Sequence, residues 1–412
     1  MRYIKPGAIE GSIDAPGSKS VMQRAVIAAA LAEGESLITN PTFCDDAVAT
    51  MNVVQALGAQ ITRTPEGVIV HGGGKPKGAT LDCGESGTCM RMISAVAALY
   101  GKEFMITGNG TLMKRPVGMI EEPLRMLGAK CSTDSGLPPI RIKGPMHGGK
   151  VSVDGSVSSQ FLSGLLMALP LCKEDSDVEV FNLKSKAYVS LTQSLMSRFG
   201  VRIRPDSGLE RFLINGGQRY KARSYSVDGD WSGAAFILVA GAVSGSVTVE
   251  RLANGLQPDL GIMDALEKAG AKTVQGDESV KVHGGNLKAF EFDATDCPDL
   301  FPPLAVLACN CKGKSVIHGA SRLKHKESDR ASVLAQELGK LGADIKVIGD
   351  RMEIIGKKLA GGRINPHGDH RIAMAGAIAA LNSEKGVEIE GEGCVSKSYP
   401  GFFEDLESLM EK

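Results

Sequence analysis

A short string recurs along this chain at a nearly constant interval. The triplet Leu-Gly-Ala, or a close relative of it, is centred on Gly58, Gly128, Gly200, Gly270 and Gly342. Successive glycines are therefore 70 or 72 residues apart. A fixed period of this kind indicates one structural unit that is repeated along the chain. The 412 residues are thus expected to fold as a series of similar repeats.

The order of elements within one repeat follows from the hydrophobic pattern. Each recurring glycine comes after an amphipathic stretch, as a glycine that ends a helix does. Two short alternating runs follow, such as 271–274 and 280–283, and predict a hairpin. A second helix in each repeat is apolar on all sides, which is typical of a buried helix. The strands that lead into these buried helices begin near Ile13, Thr80, Val151, Tyr225, Phe290 and Arg363.

The number of repeats predicts how the chain closes. Five complete repeats and a last helix at 402–410 leave one hairpin missing, which the N-terminal runs 2–4 and 11–15 could supply. The N-terminus would then pair with the last repeat. We therefore expect an α/β fold of two similar domains with three repeats each. The predicted boundaries give a discontinuous domain of residues 1–16 and 229–412 and an inserted domain of residues 17–228.

Charge and cysteine content narrow the classes of function. Lys and Arg number 47, as do Asp and Glu, so no overall basic field would hold nucleic acid or an anionic membrane. The longest uncharged stretch, 232–248, is interrupted by Gly and Ser and predicts no membrane span. The nine scattered cysteines and an N-terminus without an apolar leader favour free thiols in the cytoplasm. We also expect a monomer.

Cations at the starts of buried helices point to an anionic ligand. Lys19, Arg24, Arg91, His370 and Arg371 lie in or near first helical turns, where positive charge opposes the helix dipole. Small hydroxyl residues accompany several of them, and helix N-termini bind phosphates and carboxylates. In a single loop, an ordinary N-cap would explain the Ser and Thr residues. The set of cationic loops instead indicates a site for a multiply charged anion.

Five motifs, in this order along the chain, resemble the EPSP synthase family. They are Gly17-Ser18-Lys19-Ser20, Gly87-Thr88, Ser158-Ser159-Gln160, Lys326-Glu327-Ser328-Asp329-Arg330 and Asp369-His370-Arg371. The resemblance covers essentially the whole chain and implies two domains that close over a cleft. It implies transfer of the enolpyruvyl group of phosphoenolpyruvate to the 5-hydroxyl of shikimate 3-phosphate, with phosphate released through a tetrahedral intermediate. This is a step of the shikimate pathway of aromatic amino acid biosynthesis, and no metal or organic cofactor is implied.

The resemblance also implies roles for individual residues. Those for shikimate 3-phosphate are Lys19, Ser20, Arg24, Ser158, Ser159, Gln160, Ser185, Tyr188, Asp299 and Lys326. Those for phosphoenolpyruvate are Lys19, Gly87, Arg115, Gln160, Arg330, His370, Arg371 and Lys397. The catalytic residues are Asp299 as proton acceptor for the attacking hydroxyl, Glu327 as the acid that protonates the methylene carbon, and Lys19.

One residue departs from the family pattern. Glu85 stands where the family usually has Asn. Glu85 is at the opening of the second buried helix. There a carboxylate is either a structural cap, which gains from the helix dipole and can pair with Arg91 or Lys114, or it faces phosphoenolpyruvate and weakens binding. We favour the cap, because an unpaired acid beside the donor would repel it.

Three other functions compete with this interpretation. UDP-N-acetylglucosamine enolpyruvyl transferase shares fold and donor, but it usually has a reactive Cys where this chain has Gly110. An RNA 3'-phosphate cyclase-like protein has similar repeats, but the net charge of zero argues against a polynucleotide. A catalytically inactive anion-binding protein would need neither Asp299 nor Glu327. We therefore expect an enzyme with small-molecule substrates.

Overall fold

The chain divides into two compact domains in the computed structural model, which describes residues 1–410. The inserted domain is Gly17–Val227. The discontinuous domain combines Met1–Pro16 with the described residues from Asp228 onward. Residues 411 and 412 of the predicted discontinuous domain lie outside the described residues.

The helices alternate between buried and amphipathic ones along the chain. Their bounds are α1 Lys19–Leu31, α2 Asp45–Ala56, α3 Gly87–Ala97, α4 Glu121–Met126, α5 Ser159–Ala168, α6 Lys186–Arg198, α7 Trp231–Ser244, α8 Ile262–Ala269, α9 Phe301–Cys309, α10 Arg330–Lys340, α11 His370–Leu381 and α12 Phe402–Ser408. Among residues 1–410, none of these helices combines the length and apolar character that crossing a bilayer requires.

The strands are short, as expected for small sheets covered by helices. Their bounds are β1 Arg2–Ile4, β2 Ile9–Asp14, β3 Gly34–Thr39, β4 Gln60–Thr64, β5 Gly67–Gly72, β6 Thr80–Asp82, β7 Glu103–Thr107, β8 Lys130–Asp134, β9 Leu137–Lys143, β10 Lys150–Asp154, β11 Ser176–Phe181, β12 Arg204–Pro205, β13 Arg211–Ile214, β14 Ser224–Ser226, β15 Gly245–Glu250, β16 Lys272–Gln275, β17 Ser279–His283, β18 Glu291–Asp293, β19 Lys314–His318, β20 Asp344–Ile348, β21 Arg351–Ile355, β22 Gly362–Ile364 and β23 Val387–Ile389.

Each domain contains three of these sheets. The inserted domain has the orders β14-β3-β5-β4, β6-β7-β9-β8 and β10-β11-β13-β12. The discontinuous domain has the orders β16-β17-β15-β2, β18-β19-β21-β20 and β1-β23-β22. Within a typical sheet, a parallel pair encloses a buried helix and a hairpin follows, as in β10, α5, β11 and then β12 with β13. The predicted α/β fold with three repeats in each domain is confirmed.

The predicted closure by the N-terminus is correct for one strand and wrong for the other. Strand β1 pairs antiparallel with β23 of the last repeat, as expected. Strand β2 instead pairs in parallel with β15, from Ile9 opposite Gly245 to Asp14 opposite Glu250. The strand before α7, β14, likewise pairs with β3. The two strands that precede a domain crossing thus remain in the domain that the chain leaves, where they complete the hydrogen bonding of an open sheet edge.

The recurring glycines end amphipathic helices, as the repeat predicts. The five recurring glycines all have a positive φ, which ranges from +85 at Gly200 to +113 at Gly58. Such left-handed backbone conformations end helices at little steric cost only when the residue is glycine. A Cβ added to Gly58 would also lie 2.4 Å from the carbonyl oxygen of Lys75.

The six apolar helices form the centres of two separate hydrophobic cores. Helices α1, α3 and α5 belong to the core of the inserted domain, and α7, α9 and α11 belong to the core of the discontinuous domain. Helix α7 is buried along nearly its whole length, from Trp231 to Ala242. Because these helices pack closely within each domain, residues of their first turns are brought near one another.

Candidate active site

In the inserted domain, the first turns of α1 and α3 are linked by hydrogen bonds. Lys19 is the first residue of α1, and its Nζ lies 3.0 Å from Oδ2 of Asp46 on α2. One turn further along α1, Gln23 Nε2 donates to Oγ of Ser86, the N-cap of α3, over 2.7 Å. This buried amide holds the beginnings of the two helices together.

Gly87 is the first residue of α3, and two guanidinium groups lie against it. A Cβ added at Gly87 would be 2.9 Å from Nη1 of Arg115 and 3.0 Å from Nη1 of Arg91. Any side chain at this position would therefore displace the cations. A helix N-terminus and two guanidinium groups together attract an anion, because the N-terminal end of the helix dipole is positive and both guanidinium groups are cations.

Gln160, in the first turn of α5, forms hydrogen bonds with the first turns of α3. Ser158 is the N-cap, and its Oγ accepts a hydrogen bond from the Gln160 backbone N–H over 3.1 Å. The Gln160 side chain accepts from Arg91 Nη1 at Oε1, over 2.8 Å, and donates from Nε2 to Thr88 Oγ1, over 2.7 Å. An arginine can only donate, so the orientation of the Gln160 amide is determined by its partners.

Arg24 joins α1 to the beginning of α6. Its Nε donates to Thr192 Oγ1 over 2.8 Å, its Nη1 donates to the Ser20 carbonyl over 2.8 Å, and its Cζ lies 5.7 Å from the centroid of the Tyr188 ring. Burial lowers the pKa of Arg24 to about 10, so the side chain is a cation at neutral pH. Ser185, the N-cap of α6, has a left-handed backbone with φ +56.

In the discontinuous domain, three carboxylates meet the guanidinium of Arg330. Its Nη1 lies 2.9 Å from Asp299 Oδ1, its Nη2 lies 2.6 Å from Glu327 Oε2, and its Nε lies 2.9 Å from Asp369 Oδ2. The Arg330 side chain is 1% exposed. Burial acts to lower the pKa of Arg330, but the charges of Asp369, Glu327 and Asp299 outweigh it and hold that pKa above the usual value.

Asp299 lies among three cations. Besides Arg330, its carboxylate meets Lys326 Nζ at 3.3 Å and Arg371 Nη2 at 3.1 Å. Its side chain is 22% exposed, so one side of the carboxylate group is accessible to a ligand. The three cations come from two of the five sequence motifs, Lys326 to Arg330 and Asp369 to Arg371, which the fold brings together at Asp299.

Asp369 organises the start of α11. Its carboxylate accepts hydrogen bonds from the Arg371 backbone N–H over 3.0 Å, from Ser328 Oγ over 3.0 Å and from Arg330. The neighbouring loop also receives Lys397, whose Nζ donates to the Gly368 carbonyl over 2.8 Å. His370, the first residue of α11, is 1% exposed and is therefore enclosed by the protein.

Several partners of these residues carry no sequence signal of their own. Asp259 is fully buried and accepts a short hydrogen bond from Ser232 Oγ. Burial raises the pKa of Asp259 to about 6, with the negative charge of Asp299 as the next cause. Asp259 is not in any of the motifs, because it lies in the 3-10 helix Pro258–Gly261, away from any helix start that carries cations. Thr192, which accepts a hydrogen bond from Arg24, is not in the motifs either, because it lies in the middle of α6 rather than at a helix start.

Glu85 caps a short helix. Its Oε2 accepts hydrogen bonds from the backbone N–H and the Oγ1 of Thr111, over 3.2 and 2.9 Å. Thr111 is the second residue of the 3-10 helix Gly110–Lys114. The expectation that Glu85 caps α3 is therefore wrong, because Ser86 is the N-cap of α3 and Glu85 caps this 3-10 helix instead. Within the described chain, no group of three or more His, Cys, Asp or Glu side chains is arranged to hold a metal ion.

Sequence comparison identifies relatives along the whole chain. The family model for EPSP synthase (3-phosphoshikimate 1-carboxyvinyltransferase) matches residues 4–406. A protein of Clostridium perfringens named 3-phosphoshikimate 1-carboxyvinyltransferase is 40% identical, over 98% of this chain and 97% of that protein. One of the same name from Thermococcus kodakarensis is 41% identical, over 98% of both chains.

Structural comparison points the same way. The solved structure of EPSP synthase from Acinetobacter baumannii superposes with a TM-score of 0.84 at 29% sequence identity, over 99% of this chain and 98% of that one. The resemblance that the motifs indicate is thereby confirmed. The chain belongs to the EPSP synthase family, the 3-phosphoshikimate 1-carboxyvinyltransferases.

Proposed function

We propose that Asp299 and Glu327 carry out the proton transfers of the family's reaction in this chain. In that reaction the enolpyruvyl group of phosphoenolpyruvate moves to the 5-hydroxyl of shikimate 3-phosphate, and phosphate is released. One observation carries the assignment: a single buried guanidinium, that of Arg330, binds both carboxylates, at 2.9 Å and 2.6 Å. An acid and a base that share one arginine are close enough to act on one reacting pair.

The chemistry needs these two groups at different atoms. Glu327 gives a proton to the methylene carbon of phosphoenolpyruvate, which makes the neighbouring carbon electrophilic. The 5-hydroxyl oxygen then bonds to that carbon while Asp299 accepts the hydroxyl proton. In the tetrahedral intermediate the C–O bond to phosphate then breaks and phosphate leaves with the bonding electrons. One methyl proton returns to the Glu327 carboxylate, and the enolpyruvyl ether results. Both substrates are anions, so cations around the site stabilise the charge that develops.

The cations of both domains bind the substrates in this proposal. We assign shikimate 3-phosphate to Lys19, Ser20, Arg24, Ser158, Ser159, Gln160, Ser185, Tyr188, Asp299 and Lys326. We assign phosphoenolpyruvate to Lys19, Gly87, Arg115, Gln160, Arg330, His370, Arg371 and Lys397. The two guanidinium groups at Gly87 support the second assignment, because a carboxylate or phosphate at the start of α3 would meet both of them.

Substrate binding also prepares Asp299 to accept a proton. Before binding, Lys326, Arg330 and Arg371 all contact its carboxylate. An anionic substrate brings negative charge to the same three cations and competes for their hydrogen bonds. Their attraction for Asp299 then weakens, and a carboxylate that is less tightly paired is a stronger base.

Phosphate release tests the function directly. The purified protein is incubated with phosphoenolpyruvate and shikimate 3-phosphate, and inorganic phosphate is measured over time. We expect release that requires shikimate 3-phosphate and that does not occur with UDP-N-acetylglucosamine in its place. The proposal is wrong if phosphate is released only with UDP-N-acetylglucosamine, or if no phosphate is released with either acceptor.

Two further expectations stay predictions. These are a location in the cytoplasm and a monomeric state. Sedimentation velocity of the purified protein, with and without both substrates, measures the second of them.

A further inference from the structure

The 3-10 helix that leads to Arg115 is attached at both ends to the region around the start of α3. At its N-terminal end, Thr111 donates two hydrogen bonds to Glu85 Oε2, over 3.2 and 2.9 Å. Just beyond its C-terminal end, the Pro116 carbonyl accepts from Arg91 Nη2 over 2.9 Å. Glu85 and Arg91 thus hold the segment on either side of Arg115.

The close fit around Glu85 requires a glycine on the opposite side. Gly110 has φ +55, and a Cβ added there would lie 2.5 Å from Cδ of Glu85 and 2.6 to 2.8 Å from its two oxygens. The carboxylate therefore packs directly on the backbone that begins the 3-10 helix. A side chain one methylene shorter, such as Asn, would not extend as far from the loop before α3.

The position of the 3-10 helix determines where the Arg115 guanidinium lies. Arg115 follows the 3-10 helix directly, and its backbone N–H donates to the Leu112 carbonyl over 3.0 Å. Its Nη1 lies 2.9 Å from the place of a Cβ on Gly87, and the residue is 7% exposed. A shift of the 3-10 helix would be transmitted to Arg115, because only three residues separate it from Thr111.

We propose that Glu85 is a positioning residue for phosphoenolpyruvate binding: it holds the 3-10 helix so that the Arg115 guanidinium stays at the start of α3. The inference rests on the proposed function, in which Arg115 binds the donor. It also explains how an acidic residue is tolerated near an anion site. The negative charge is directed to two hydrogen-bond donors of Thr111, so the carboxylate supports a cation instead of repelling the ligand.

The test compares Glu85→Ala with Glu85→Gln by steady-state kinetics. Hydrogen bonds to a charged group contribute enough that their loss corresponds to about a tenfold or larger effect. We expect Glu85→Ala to raise the KM for phosphoenolpyruvate about tenfold and to leave the KM for shikimate 3-phosphate unchanged. Glu85→Gln keeps an accepting oxygen at the same distance along the side chain, so it should restore most of the loss.

A matched control separates this role from general stabilisation. Glu121 Oε1 accepts from the backbone N–H of Thr133 over 2.8 Å and from the hydroxyl of the same residue, in the same domain. Glu121→Ala therefore removes the same type of contact from a different segment. We expect it to leave the KM for phosphoenolpyruvate unchanged. Thr111→Val, which keeps the backbone donor and removes the hydroxyl, should give an intermediate rise.

Hydrogen exchange measured by mass spectrometry provides a readout without substrate. The amide of Thr111 should exchange faster in Glu85→Ala than in the wild type, and the Glu121→Ala variant should exchange there like the wild type. The inference is overturned if Glu85→Ala leaves the KM for phosphoenolpyruvate unchanged, or if Glu85→Gln lowers it below the wild-type value, which would show repulsion. A wild-type protein without turnover would instead overturn the proposed function and the assignment of Arg115 with it.

Discussion

Arg330 is the residue on which the acidic side chains of the discontinuous domain converge. Its guanidinium binds Asp299, Glu327 and Asp369, and the side chain is almost completely buried. A buried charge is tolerated when it is paired and fully hydrogen-bonded, and removal of one partner leaves the others uncompensated. Asp299 and Glu327, to which we assign the proton transfers, therefore depend on the same cation for their position.

The removal of this cation should destabilise the protein strongly. We expect Arg330→Met to lower the free energy of unfolding by about 3 to 5 kcal/mol, because Asp369 would remain buried without its partner. Arg363→Met is the control, since Arg363 pairs with Glu388 on the surface and is 56% exposed. That change should matter by at most about 1 kcal/mol. Urea unfolding of both variants measures the difference, and equal effects would contradict the argument.

The proton transfers proposed for Glu327 and Asp299 should be separable from substrate binding. We expect Glu327→Gln and Asp299→Asn each to reduce kcat by about 10² to 10⁴-fold, because each removes a proton-transfer group and preserves its shape. Binding of shikimate 3-phosphate, measured by isothermal titration calorimetry, should persist. Asp177→Asn, which changes a surface partner of Arg211, is the control and should leave kcat unchanged. Near-normal turnover in either catalytic variant would disprove its assigned role.

Asp259 should make stability depend on pH in an unusual direction. Its pKa is raised to about 6 by burial, whereas an unfolded Asp titrates at about 3.9. Between these values the folded state binds more protons than the unfolded state, so the free energy of unfolding falls as pH rises. The contribution of Asp259 to the free energy of unfolding is fully present below about pH 4. It falls by up to about 3 kcal/mol as pH rises through about 6.

Asp259→Asn isolates this contribution, because Asn does not titrate. Relative to the wild type, we expect the variant to gain stability between pH 4 and pH 7 by up to about 3 kcal/mol. Urea unfolding of both proteins at the two pH values gives the difference, in which other titrating groups cancel. A difference between the two proteins that does not change with pH would rule out a raised pKa at this position.

At the scale of elements, each repeat places a buried helix and an amphipathic helix in fixed order, and glycines mark where the amphipathic ones end. The buried helices begin with small residues at Ser86, Ser158 and Asp369, whose side-chain oxygens accept backbone hydrogen bonds. The cations come from the first turns themselves, as Lys19 in α1 and Arg371 in α11 do, and from neighbouring segments, as Arg115 does at the start of α3. The same architecture therefore supplies both stable helix starts and anion-binding groups.

Gly58, which follows the end of α2, should tolerate no side chain, in contrast to Gly339 within α10. Gly58→Ala forces a Cβ into a left-handed position 2.4 Å from the Lys75 carbonyl oxygen, and should destabilise by more than about 1 kcal/mol. Gly339→Ala within α10 is the matched control, since an added Cβ meets nothing within 4 Å. It should stabilise by about 0.5 to 1 kcal/mol. Thermal or urea unfolding would reveal the opposite signs, and a shared sign would contradict this account.

At the scale of the whole molecule, zero net charge coexists with strongly charged local clusters. Lys and Arg equal Asp and Glu in number, yet cations concentrate at helix starts in both domains. Each domain has its own hydrophobic core, and the chain passes between them at residues 16–17 and 227–228. The residues that the proposed function assigns to the substrates include members of both domains.

Sequence patterns alone predict the repeat, the ends of the amphipathic helices, the three repeats of each domain and the family. These features depend on neighbours along the chain: a glycine at a helix end, an alternating run, a motif of consecutive residues. The motifs also identified the residues at helix starts and the departure at Glu85.

Contacts between groups that are distant in the sequence depend on how the whole chain packs. Glu85 contacts Thr111, Arg24 contacts Thr192, and β2 joins β15 instead of the last repeat. Many carboxylates, hydroxyls and sheet edges in the sequence offer similar hydrogen bonds. The packing of buried helices brings one of them within reach and keeps the others away, and local pattern contains no information about that choice.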